Sequence, residues 1–75
     1  MEDFEKLMVA IYEDTIAKDA LFARHDALVQ KLGIDQQTFS HLHSVLDQKR
    51  YLGRGVAGMV CLSHSGIEYV ERYLR

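Results

Sequence analysis

Three short patterns carry residue types that can do chemistry. Gly53-Arg54-Gly55-Val56-Ala57-Gly58 has the spacing of the dinucleotide fingerprint, in which glycines let backbone approach a pyrophosphate held at a helix N-terminus. That use needs a strand before the motif and a helix after it. Here a helical pattern precedes it and the strand-like run Met59-Val60-Cys61-Leu62 follows. No acid stands about 20 residues on to take a ribose hydroxyl, Glu68 and Glu71 being the nearest. The glycines are therefore read as turn formers. Cys61-x-x-His64 is half of a metal site, and His25, His41 and His43 add ligand types. Two residues apart on a helix, His41 and His43 point about 200° apart and cannot chelate together. His43 falls beside the apolar stripe as a packing residue, while His41 faces outward. Ser63-His64-Ser65-Gly66 lacks the first glycine of a nucleophile elbow, and Ser63 is accounted for as a helix cap. No carboxylate pair stands out as a general acid and base. The expectation is a chain that is not an enzyme and holds neither cofactor nor metal.

What remains is a surface for binding, and it lies on one helical stretch from Ile34 to Leu52. Asp35 caps its start, and Phe39, Leu42 and Leu46 form an apolar stripe at three- and four-residue steps. Gln36, Gln37, Ser40, His41, Ser44 and Gln48 occupy the opposite face. These groups are polar and nearly uncharged, and they donate and accept hydrogen bonds. Lys49, Arg50 and Arg54 follow as a local basic cluster.

The other elements position this helix. Phe4, Leu7, Met8, Ile11 and Tyr12 predict an amphipathic helix over residues 2 to about 14. Residues 15–24 lose the period. Two readings stand there: a connection with a short extended piece around Leu21–Phe22, or a first helix that continues to about Lys18. A second helix spans His25 to Leu32, with Asp26 as its cap, Leu28, Val29 and Leu32 inward, and Gly33 ending it in a left-handed conformation. Leu32-Gly33-Ile34-Asp35 is thus a tight turn between two helices. After the long helix, two short strands joined by a glycine turn are expected, with Val60 and Leu62 inward and Met59 and Cys61 outward. Ser63 caps a last helix bearing Ile67, Val70 and Leu74 on one stripe, and Tyr69 and Tyr73 on a second.

Seventy-five residues with 48% apolar and 27% charged side chains make one domain, residues 1–75, with a thin core. No apolar run approaches the ~18 residues of a membrane span, and the acidic start is unlike a signal peptide, so a cytoplasmic protein is expected. The single cysteine excludes a disulfide framework. Net charge is −2 but uneven: residues 1–19 hold six acids and two bases, residues 20–75 seven bases and five acids. That balance argues against nonspecific coating of nucleic acid.

Leu32-Gly33-Ile34-Asp35 at the turn, with Leu62, Ser63 and Gly66 where the last strand gives way to a helix, resembles the winged helix-turn-helix superfamily over nearly the whole chain. The resemblance implies an α+β, mostly helical fold: three helices, a two-stranded β-hairpin wing and a C-terminal helix. It implies a small transcriptional regulator that reads double-stranded DNA with its third helix (35–49) and its wing (53–58). Gln36, Gln37, Ser40, His41 and Ser44 would face base edges, and Lys49, Arg50 and Arg54 would hold phosphates. The rival expectation is an acidic protein-interaction module on the same fold, an adaptor or a phage-encoded inhibitor, motivated by the acidic first helix and a reading face with no base before Lys49. The second stripe on the last helix has two readings: tyrosines that snorkel at the edge of the chain's own core, or a homodimer face of Tyr12, Tyr69 and Tyr73.

Overall fold

The apolar spacing at the start of the chain produces helix α1, Asp3–Asp14, which buries Leu7, Met8, Ala10, Ile11 and Tyr12. In the computed structural model, which describes residues 1–75, α1 packs against α2 (His25–Leu32), α3 (Gln36–Gln48) and the C-terminal helix. Leu7, Met8 and Ile11 are fully enclosed together with Leu28, Leu46 and Val70, so each helix contributes to one core. Burying a side chain of this size is worth about 2 kcal/mol.

Neither reading of residues 15–24 holds as drawn. Helix α1 stops at Asp14, where the buried Thr15 donates its hydroxyl to the Ile11 carbonyl at 2.7 Å and takes a non-helical backbone. One 3₁₀ turn, Ile16–Lys18, follows, and Asp19 turns the chain with a left-handed φ of 57°. The extended piece is β1, Ala23–Arg24, two residues later than Leu21–Phe22. Ala23 is small enough to be buried there, whereas Leu21 is 83% exposed.

Helix α2 starts directly from β1, and Asp26 is not its cap. It lies inside the first turn, accepting the Arg24 guanidinium at 2.9 Å and the Ala27 N–H at 2.8 Å. The turn into α3 follows the sequence closely: Gly33 is left-handed (φ 65°), and the Asp35 carboxylate accepts the Thr38 N–H at 2.7 Å. The expected helix Ile34–Leu52 is shorter at both ends, running Gln36–Gln48. Arg50 adopts a left-handed φ of 63°, and the Arg50 and Tyr51 N–H groups close on the Asp47 and Leu46 carbonyls, both at 3.0 Å. This Schellman closure satisfies the last carbonyls of α3 and swings Tyr51 back toward the core.

The glycine turn is present, but the strand pairing differs from a simple hairpin. Leu52 and Leu62 form a single antiparallel bridge, and the Gly53 N–H reaches the Cys61 carbonyl at 2.9 Å. Strand β2, Met59–Val60, instead pairs antiparallel with β1, Ala23 opposite Val60 and Arg24 opposite Met59. The strand before the turn is too glycine-rich to extend its own ladder. Val60 and Leu62 are buried, as the alternation predicts, and Met59 is exposed.

Ser63 caps α4, His64–Tyr69, which continues as a π turn over Val70–Leu74. The Ser63 hydroxyl accepts the Gly66 N–H at 3.1 Å and donates to the Arg50 carbonyl at 2.8 Å, so one side chain joins the exit of α3 to the start of α4. Two phenols fasten this helix to α1: Tyr12 donates to Glu71 at 2.7 Å and Tyr69 to Glu5 at 2.8 Å. Tyr12 is only 4% exposed, so it belongs to the core of its own chain and offers no free interface surface. No helix is long and apolar enough to cross a membrane.

The Asp35 cap yields a pH prediction. The Thr38 N–H holds the Asp35 carboxyl below its ordinary range, because the hydrogen bond favours the ionised form. A depressed acid contributes stability above its unfolded-state pKa and loses it as pH falls through the folded-state value. The melting temperature should therefore drop on acidification below about pH 4. Asp35→Asn, which keeps the cap but cannot ionise, should flatten that part of the profile; an unchanged profile would remove Asp35 from the cause.

Candidate nucleic-acid interface

At about 100° per residue, the exposed side chains Gln36, Gln37, Ser40, His41, Ser44 and Gln48 share one arc of α3, opposite buried Phe39, Leu42 and Leu46. The two faces expected from sequence are thus both present. Asp47 also projects from the polar arc, between Gln36 and Ser40, and is exposed. Its spacing, seven residues from Ser40, would have placed it there from sequence alone. It sets a negative charge within an otherwise neutral face.

The three bases differ in availability. Lys49 is drawn back onto α1, its Nζ 4.9 Å from the centre of the Phe4 ring. Arg50 is exposed in its left-handed position, and Arg54 is exposed in the glycine-rich turn and makes no ion pair. The structure adds Arg24, which reaches sequence-distant β2 through its pairing with Met59. An open groove of about 490 Å³ lies between β1, the start of α2, Gln36 and the turn at Gly58–Met59. Arg24 on its wall is paired with Asp26. The groove depends on long-range pairing, which local spacing does not encode.

His25, Phe39 and His43 cluster together at the inner edge of this face. The His25 ring centre lies 5.0 Å from Phe39 and 5.6 Å from His43, and His25 Nε2 is buried without a hydrogen-bond partner. His43 is half-buried and His41 exposed, as read from their positions on the helix. No three His, Cys, Asp or Glu side chains gather into a metal-holding group. Cys61 directs its thiol to the Arg54 carbonyl at 3.8 Å, while exposed His64 turns to Glu68 at 3.5 Å, so the Cys-x-x-His pair diverges.

The acids of α1 are largely engaged within the chain. Lys31 bridges Glu13 at 2.9 Å and Asp14 at 3.2 Å, and the Glu13 bond foremost raises the Lys31 pKa. Lys18 also reaches Asp14, and Lys6 reaches Asp3. The Glu5 carboxyl is held low first by the Glu2 N–H and then by the Tyr69 hydroxyl. The first helix is consequently a weaker acidic surface than its composition implies.

No family model matches the chain, and no curated protein or solved structure matches it.

Proposed function

We propose that this chain is a small winged helix-turn-helix protein that binds duplex DNA and acts in transcriptional regulation, with α3 as its reading helix and residues 53–58 as its wing. The observation that carries this reading is the arc of exposed hydrogen-bonding side chains on α3, Gln36, Gln37, Ser40, His41 and Ser44, with an unpaired Arg54 in the adjoining turn. Glutamine can make a bidentate contact to adenine, and serine can bond to several base edges, so this face suits a major groove. Phosphate attraction would come from Lys49, Arg50 and Arg54.

Fluorescence anisotropy with a mixed-sequence duplex tests it. Three phosphate contacts give a slope of about −2.7 in log affinity against log salt, and Arg54→Ala should lower affinity for all sequences and reduce that slope by about 1. Absence of any duplex binding at low salt, with the helical signal intact, overturns the reading.

A second reading is favoured by Asp47 on the polar arc and by the Arg24–Asp26 pair in the groove. Both reduce positive charge where a phosphate backbone would run, which suits a protein partner docking on the same face. A partner retained from the native host after nuclease treatment, and released by changes at Ser40 or Ser44, would select this second reading.

A further inference from the structure

Most carboxylates of this chain are engaged within it. Tyr69 holds Glu5, Tyr12 holds Glu71, Lys31 spans Glu13 and Asp14, and the backbone of α3 holds Asp35. Asp47 is not: it is exposed, and its side chain makes neither an ion pair nor a hydrogen bond within the chain. Its place is also locally unfavourable. Asp47 lies in the last turn of α3, where the helix dipole disfavours a negative charge, and no basic residue shares that turn. An acid that opposes the local electrostatics and gains nothing inside the molecule points to a use outside it.

The position belongs to the polar arc. Asp47 stands eleven residues after Gln36, so at about 100° and about 1.5 Å per residue it lies about 16 Å along the axis, within about 20° of Gln36 and of Ser40 around it. Gln36, Ser40, Ser44 and Asp47 therefore form one ridge. The first three both donate and accept hydrogen bonds, whereas an ionised carboxylate only accepts. A phosphate repels it. In a major groove the donors are the amino groups of cytosine and adenine, and adenine sets its N7 acceptor beside the amino group, against the second carboxylate oxygen. Cytosine presents its N4 amino group with no acceptor on the same base edge.

Resting on the duplex-DNA reading above, we infer that Asp47 is a specificity-determining residue of α3, accepting the N4 amino group of a cytosine in the major groove. With base pairs about 3.4 Å apart, that cytosine falls about four to five pairs from the adenine faced by Gln36. Guanine or thymine in its place sets an acceptor oxygen against the carboxylate. Asp47 thus works by exclusion as well as attraction, lowering affinity for DNA in general and sparing duplexes that carry the cytosine.

Selection from a pool of duplexes with a random central block tests this, using wild type, Asp47→Ala and Asp47→Asn, with circular dichroism confirming that each is folded. Wild type should enrich a cytosine about four to five pairs from an adenine, and should lose about tenfold in affinity when that cytosine alone is changed. Asp47→Ala should keep the adenine preference, lose the cytosine preference and melt no lower than wild type, since an acid leaves the last turn of a helix. Asp47→Asn should turn the same position to adenine, because an amide matches the N6 and N7 pair. Duplexes retained without a cytosine preference overturn the inference and leave the DNA reading standing. So does a cytosine preference that survives Asp47→Ala, or an Asp47→Ala variant that binds every sequence more tightly with the preference unchanged. A wild type that retains no duplex at low salt overturns both.

Discussion

Gly66→Ala is expected to destabilise the protein by roughly 3 kcal/mol, enough to lower the melting temperature by more than about 10 °C in a domain of this size. A methyl group at this position would lie on the Tyr51 carbonyl oxygen, well inside van der Waals contact, and against the Leu62 Cβ at 3.3 Å. The carbonyl is not free to move aside. It accepts the Ser63 N–H at 2.9 Å, and the same Ser63 caps α4 and holds the Arg50 carbonyl. Relief of the clash therefore requires α4 to retreat from the exit of α3, which also strips Val70 from the core. Gly33→Ala makes the contrast. Nothing lies within 4 Å of a Cβ there, so the cost is the left-handed backbone at φ 65° alone, about 1 kcal/mol. Thermal melts followed by far-UV circular dichroism separate the two. A Gly66→Ala melt within a few degrees of wild type would mean that the two helices are not locked at this crossing.

That crossing also shows what the sequence could convey. Leu62, Ser63 and Gly66 were readable as a strand end, a cap and a helical glycine, because each acts over three or four residues. The reason for Gly66 was not readable, since the oxygen that excludes a side chain belongs to Tyr51. The same division runs through the fold. Gly33, Asp35 and the stripe of Phe39, Leu42 and Leu46 are local devices and appear where their spacing puts them. The pairing of Ala23 with Val60 joins segments 37 residues apart, and nothing in the period of either segment announces it. Tyr12 is open to two readings from sequence for a related reason. Its place on the stripe of α1 fitted core or surface equally well, and Glu71 and Arg75, far along the chain, decide the matter by bonding its hydroxyl.

The polar arc of α3 was legible because a helix sorts its side chains by spacing alone. Its electrostatic character was less so. Six acids in residues 1–19 suggest a strongly negative first helix, yet Lys6, Lys18 and Lys31 neutralise several of them across distances that composition does not record. Conversely, the basic cluster after α3 is thinner than it reads, because Lys49 rests on Phe4. The two adjustments oppose each other, so the surface around α3 is closer to neutral on both sides than the charge sequence implies.

Phe39→Ala should be the most damaging change on α3 and separates its two faces. Phe39 is 3% exposed and packs between α3 and the start of α2, its ring 5.0 Å from His25 and 6.1 Å from His43. Truncation removes an aromatic side chain and leaves a cavity, at a cost of about 3–5 kcal/mol. A domain of this length has only about 4–11 kcal/mol in total, so a large share of the variant molecules should be unfolded at physiological temperature. The loss is compounded by His25, whose Nε2 already lacks a partner and would gain an unlined cavity beside it. Ser40→Ala, one residue along, removes a hydroxyl from the exposed arc and should change stability by no more than about 0.5 kcal/mol. Urea unfolding of the two variants, read alongside duplex binding, gives distinct signatures. Phe39→Ala lowers the midpoint and loses binding through unfolding, whereas Ser40→Ala keeps the midpoint and alters binding alone. A Phe39→Ala variant as stable as wild type would mean that α3 is not anchored by this stripe, and the polar arc would then have no fixed orientation from which to read anything.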